Sequence, residues 1–179
     1  MSEIKTKNSL IRLDKSDITL LNIDAIVFYA RNDLQLGSGF GNAITVRGGP
    51  SIQEELKKFG SVNTCDVIVT SAGDLKAKYI IHAVGPKFQE ADLETKLIRT
   101  ILNTLQTASE KQIKSVAFPP MGAGFYGIPL ELCARVMLNV ISEFLSISTS
   151  LQEIVICVMD NREYNAFNSA MNIKGNNYE

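Results

Sequence analysis

Histidine occurs once in this sequence, tryptophan not at all, and no two cysteines form a Cys-x-x-Cys pair. A zinc site needs several such ligands at close spacing, so the composition argues against a metal centre. The three cysteines, Cys65, Cys133 and Cys157, are widely spaced, odd in number and set in apolar surroundings. They read as reduced core thiols of an intracellular, cytoplasmic protein and not as a disulfide framework. No apolar run is long enough to cross a bilayer, and the opening MSEIKTKNSL is too polar for the core of a signal peptide. An excess of charge of either sign is also missing. Eighteen Lys and Arg face nineteen Asp and Glu with no basic block, which leaves no electrostatic footprint for nucleic acid or an anionic membrane.

What is present is the pattern of one globular domain. With 45% hydrophobic residues in 179, the chain suits a single sizeable core, expected over residues 10–172, with 1–9 and 173–179 as flexible ends. A short strand is expected at Ile11 to Leu13 and a strand buried on both faces at Asp24 to Ala30. A helix should begin near Asn42 and break at Gly48-Gly49-Pro50, where Ser51-Ile52-Gln53-Glu54 has the form of a capping box opening the next. Asp66 to Thr70 and Tyr79 to Val84 read as strands. Asp92 is an expected N-cap for a helix whose apolar stripe runs Leu93, Leu97, Ile101, Leu105 and Ala108, widened by Ile98 and Leu102. Pro129 opens a further amphipathic helix, and Glu153 to Met159 and Glu163 to Met171 complete the chain as strand and helix. Strands alternating with helices predict an α/β fold, a largely parallel sheet covered on both faces.

Two glycine loops interrupt this pattern. In SVAFPPMGAGFYGIP, from Ser115 to Pro129, an apolar strand breaks into a loop holding Gly122, Gly124 and Gly127 before a helix starts. The other is Leu36-Gly37-Ser38-Gly39-Phe40-Gly41, just after the buried strand. Glycine lets the backbone approach an anion, and successive amides beside a helix N-terminus can hold a phosphate. Taken singly, such a loop reads equally well as a tight turn packed for its own sake. Both loops leave strands at the carboxyl end of the predicted sheet, where ligands of such folds lie, and opposed amide loops suit a diphosphate.

The order Ser16-Asp17-Ile18-Thr19, Asp24-Ala25-Ile26-Val27, Gly37-Ser38-Gly39 and Gly48-Gly49 resembles the opening of a macro domain. Val69 to Leu75 with Lys78 to His82, and Ser115 to Pro119 with Gly122 to Gly127, are similar to the middle and second phosphate loop of that family. The resemblance spans roughly residues 10 to 170 and is more specific than any single glycine loop. It implies a three-layer α/β/α fold with a mixed, mostly parallel sheet, which binds ADP-ribose or a derivative, free or attached to protein, without a cofactor. Asp17 matches the residue that accepts the adenine 6-amino group, and Ile18 the neighbour whose amide reaches the base. Gly37, Ser38, Gly39 and Phe40 match the first diphosphate loop. Gly122, Ala123, Gly124, Phe125 and Tyr126 match the second, which also flanks the distal ribose.

The departures concern catalysis. Active members carry Asn-Ala-Ala-Asn where this chain has Phe28-Tyr29-Ala30-Arg31, and some hydrolases place an aspartate where this chain has Gly41. A guanidinium cannot act as a general base, so Arg31 is a weak catalytic candidate, and the adjacent Asn32 could take the role only if the turn slipped by one residue. Three readings follow: a binding module for ADP-ribose, a hydrolase of ADP-ribosyl adducts, or a degenerate fold in which Phe28 and Arg31 block the cleft and serve protein interaction. The remaining candidates have plainer readings beside these. Asp17 can cap a turn, His82 reads as a hydrogen-bonded core histidine, and Phe125 and Tyr126 are a ribose lid or a loop anchor. Met159 either packs on the base or fills the core. Glu54 and Glu55 read as solvated helix charges.

Overall fold

A computed structural model describes residues 2–147 and 149–175. Its centre is a seven-stranded sheet in the order β1-β2-β7-β6-β3-β5-β4. The strands are β1 (Glu3–Lys5), β2 (Leu10–Lys15), β3 (Ala25–Ala30), β4 (Val67–Ser71), β5 (Tyr79–Val84), β6 (Ser115–Phe118) and β7 (Glu153–Val158). The five inner strands are parallel, and the edge strands β1 and β4 run antiparallel to their neighbours. Helices α1 (Phe40–Gly48) and α2 (Ser51–Lys57) cover one face. Helices α3 (Leu93–Glu110), α4 (Leu130–Ser146) and α5 (Asn161–Gly175) cover the other. This is the expected three-layer α/β/α arrangement with a mixed, mostly parallel sheet.

All six residues of β3 are buried, as expected of a central parallel strand. Ala25, Val27 and Tyr29 face the α3–α4 core, while Ile26, Phe28 and Ala30 face α1 and α2. Phe28 is therefore a core residue and does not block a cleft.

Several local expectations fail for identifiable reasons. Glu3–Lys5, expected as part of a flexible lead-in, pairs with Leu10–Arg12 and shields the edge of β2. The capping box does not form, because Pro50 takes the N-cap position and Ser51 is already inside the helix. Asp92 precedes α3 but lies in the left-handed region at φ 58 and makes no side-chain cap. On α3, Ile98 points outward, and Thr100 and Thr104 are buried in its stead. Their hydroxyls donate 2.8 Å bonds to the carbonyls of Lys96 and Thr100, which satisfies them without outside partners. Cys65 is half-buried, not a core thiol. α5 extends beyond the predicted helix to Gly175, which takes in part of the expected flexible end; residues 176–179 lie outside the described residues. No helix among the described residues is long and apolar enough to cross a membrane.

His82 is a core histidine, as expected. Thr70 Oγ1 donates to the Ser71 carbonyl at 2.8 Å, so at 2.9 Å it accepts from His82 Nε2–H. That fixes the tautomer and leaves Nδ1 buried without a partner among the described residues. Burial pushes the imidazole pKa down to about 3 from its ordinary 6.5. The unfolded chain takes up a proton below about pH 6.5 that the folded chain refuses until about pH 3. His82 therefore lowers stability as pH falls through that window, with a slope approaching about 1.4 kcal/mol per pH unit. Urea denaturation between pH 7 and 4 should show a shallower pH dependence for His82→Leu than for wild type. Parallel curves would remove His82 as the source.

Candidate functional site

Every parallel strand ends at the same edge of the sheet, and the predicted site residues gather there. The first glycine loop leaves β3 and the second leaves β6, and these strands are hydrogen-bonded neighbours. The first loop is anchored by Leu34 and Leu36, both buried, and by Gln53 of α2. Gln53 accepts from the Leu36 amide at 3.0 Å and donates to the Leu34 carbonyl at 3.1 Å. Gly37, Ser38 and Gly39 are left exposed, and α1 starts at Phe40 with no side-chain cap. The amides of Phe40, Gly41 and Asn42 therefore point forward with no acceptor among the described residues, the electropositive end of a helix dipole. The Phe40 ring packs edge-on against Phe28 at 5.2 Å, so its ring is structural and its amide is the group on offer.

In the second loop, internal bonds divide the amides. Ala123 donates to the Pro120 carbonyl, Gly127 to Gly124 and Ile128 to Gly122. The amides of Gly124, Phe125 and Tyr126 have no acceptor among the described residues. Ala123, expected as a ligand contact, thus contributes no free amide. Gly122 has φ 76, and a Cβ there would lie 2.5 Å from Ile128 and 3.0 Å from the Tyr29 ring. Tyr29 is a hub at a position that the sequence marks only as a departure from Asn-Ala-Ala-Asn. Its hydroxyl donates to the Pro86 carbonyl at the end of β5, and its ring packs 5.0 Å from Tyr126. Phe125 is 95% exposed and leans edge-on against Tyr126.

Asp17 lies beyond β2 at the same edge. It caps the one-turn 3-10 helix Ile18–Leu20. Its Oδ1 accepts from the Thr19 amide at 3.0 Å and the Thr19 hydroxyl at 2.6 Å, and its Oδ2 from Arg47 at 2.6 Å. Partial burial pushes the carboxyl pKa up, but the Thr19 bonds and the Arg47 guanidinium outweigh it and hold the carboxyl below its ordinary value. The Ile18 amide has no acceptor among the described residues, and its side chain is buried. Met159, just past β7, is 67% exposed and so is not core filling.

The distal candidates resolve differently. Arg31 Nη2 pairs with Asp33 at 2.6 Å, a local and exposed contact that does not bridge the cleft. Its Nη1 lies 3.9 Å from where a Cβ on Gly37 would be, so the guanidinium rests against the first loop. Asn32 turns away: its side-chain amide donates to the Val62 carbonyl at 2.9 Å. Glu55, expected as a free surface charge, accepts from the Ser71 amide and hydroxyl instead. An open cavity of about 1060 Å³ between α4 and α5 touches neither glycine loop.

The mixed, mostly parallel sheet, covered by helices on both faces and with two glycine loops at its carboxyl edge, defines a three-layer α/β/α protein. A sequence profile of the macro domain family matches residues 30–137. A macro domain-containing protein of Caldanaerobacter subterraneus is 39% identical over 166 residues, covering 89% of this chain and 94% of the relative. An uncharacterised protein of Saccharolobus solfataricus is 43% identical over 166 residues, covering 90% and 92%. An Oceanobacillus iheyensis macrodomain solved with ADP superposes with a TM-score of 0.93, covering 98% of this chain and 96% of that one. Its identity is 24%, so the likeness speaks for the fold alone. A Trypanosoma brucei macrodomain in complex with ADP-ribose gives 0.84 at 27% identity, covering 89% of this chain and 68% of that one. The chain belongs to the macro domain family.

Gly41, where some hydrolases carry an aspartate, has no room for any side chain. A Cβ there would sit 1.7 Å from the Leu36 carbonyl oxygen. Gly41→Ala should displace the first loop and lower stability by about 1–3 kcal/mol, read as a reduced midpoint in urea denaturation. An unchanged midpoint would contradict this packing.

Proposed function

We propose that this chain binds ADP-ribose, or a derivative of it free or linked to protein, in the cleft between the two glycine loops, and does so without turnover. The observation that carries this reading is the convergence of unpartnered amides. Those of Phe40, Gly41 and Asn42 belong to one loop and those of Gly124, Phe125 and Tyr126 to the other, on neighbouring parallel strands. Opposed donor sets of this kind suit the two phosphates of a nucleoside diphosphate. The complex of the Trypanosoma brucei macrodomain with ADP-ribose supports the choice of ligand.

The ligand's ends are assigned by chemistry. Asp17, ionised and at the sheet edge, suits the amino group of adenine, with the Ile18 amide and Met159 beside it. Phe125 and Tyr126 suit the distal ribose, where aromatic faces cover sugar and exclude water. Binding is favoured over hydrolysis because the distal groups are already engaged. Arg31 is a permanent cation, the Asn32 amide is held by Val62, and Asp33 accepts both Arg31 and the Gln35 amide. The Gln35 amide and the Arg31 guanidinium hold the Asp33 carboxyl below its ordinary pKa, which makes it a poor base.

Calorimetric titration with ADP-ribose should give a single site per chain. A Cβ added at Gly124 would meet open space, with no atom within 4 Å, and the residue does not have a positive φ. Gly124→Val should therefore fold normally and lose binding more than tenfold. Asp17→Ala should weaken binding roughly tenfold or more, the worth of a hydrogen bond to a charged group. Absence of heat and of a thermal shift at millimolar ADP-ribose would rule the reading out. Release of free ADP-ribose from an ADP-ribosyl protein above the no-protein rate would overturn the claim that there is no turnover.

A further inference from the structure

Asp17 does not stand alone at its end of the cleft. Arg47, from the last turn of α1, donates from Nη1 to Asp17 Oδ2 at 2.6 Å and to Thr19 Oγ1 at 2.5 Å. Thr19 Oγ1 in turn donates to Asp17 Oδ1 at 2.6 Å, and the Thr19 amide adds a second bond to the same oxygen at 3.0 Å. The three side chains close a ring. A carboxylate oxygen offers about two acceptor directions, so Oδ1 is filled and Oδ2 has one direction left. The carboxylate is reduced to a single acceptor whose direction Arg47 and Thr19 set.

We propose that Arg47 is the positioning residue for base recognition, holding Asp17 so that its one remaining acceptor direction meets a 6-amino donor and rejects a 6-oxo group. This rests on the nucleotide reading of the cleft given above. Selectivity follows from the count of acceptors. A carboxylate free to rotate can present either oxygen to solvent or to a bridging water and so tolerate a 6-oxo purine. A fixed, ionised oxygen facing a carbonyl is left unpaired and repelled, and such a mismatch is the strongest form of discrimination a polar site has.

The helix also joins the two ends of the site. Phe40 and Arg47 are separated by about 10 Å along α1 at 1.5 Å per residue, the scale of a nucleoside diphosphate. One rigid element thus presents phosphate-facing amides in its first turn and the base-positioning guanidinium in its last. The side chain of Arg47 is 42% exposed, so its replacement removes the ring without opening the core.

The test compares ADP with IDP, which differ in the 6-amino and 6-oxo groups, by calorimetry on wild type, Arg47→Met and Arg47→Lys. Wild type should prefer ADP. Arg47→Met should lose about tenfold in ADP affinity, keep its IDP affinity and so collapse the ratio. Arg47→Lys, which retains one donor, should restore most of the ratio. Equal losses on both nucleotides, or an Arg47→Met chain that matches wild type, would overturn the proposal while leaving the cleft reading in place. A wild-type chain that binds neither nucleotide would remove both. Should Arg47→Met fail to fold, a wild-type ratio near one would by itself refute the role.

Discussion

The arrangement depends on a carboxylate at the opposite edge of the sheet from the site. Asp24 immediately precedes β3, and its Oδ1 takes the Lys78 ammonium at 2.9 Å. Its Oδ2 takes the Lys114 amide, the Ser115 amide and the Ser115 hydroxyl, each at 3.2 Å. Its backbone completes the clamp, donating to Ser115 Oγ and accepting from the amides of Lys78 and Tyr79. One residue therefore ties the feet of β3, β5 and β6. The Lys78 hydrogen bond lowers the carboxyl pKa first, against partial burial, with the Lys114 amide and Ser115 hydroxyl adding to it. Because side chains alternate, a slip of one residue would turn every buried group of β3 to the other face. The clamp opposes that slip and so sets the height at which the glycine loops leave β3 and β6.

From that register the site follows by packing. Tyr29 links the end of β5, through Pro86, to the second loop, through Tyr126 and the space that Gly122 leaves for its ring. Gln53 links α2 to the first loop, and Arg47 links α1 to Asp17. Each loop is held by a side chain from a different element, so its amides are aimed before any ligand arrives. Pre-aimed donors cost less on binding than donors that must be ordered first.

The fold is legible in the sequence because its signals are local. Apolar runs such as Ala25–Ala30 and Tyr79–Val84 mark the strands, and composition marks the glycine loops. The placement of the candidate residues is legible: Asp17, Gly37 to Phe40 and Gly122 to Tyr126 each follow a parallel strand and lie at one edge of the sheet. What escapes is of one kind. Asp24 and Tyr29 read only as members of a buried strand, Gln53 only as part of a capping box, and Arg47 carries no signal of its own. Each acts through partners distant in sequence, which no local period reveals. The failed capping box has the same lesson on a small scale, since Pro50 displaces the N-cap one residue upstream. For Arg31 the sequence leaves open whether it completes the distal site or blocks it, and its pairing with Asp33 leaves the cleft open.

The central claim is that two loops on neighbouring strands serve one ligand. Amide chemical shifts followed during an ADP-ribose titration test it most directly. The amides of Phe40, Gly41 and Asn42 should move together with those of Gly124, Phe125 and Tyr126, saturating at a common midpoint. Shifts confined to one loop, or centred on the α4–α5 cavity, would contradict the account.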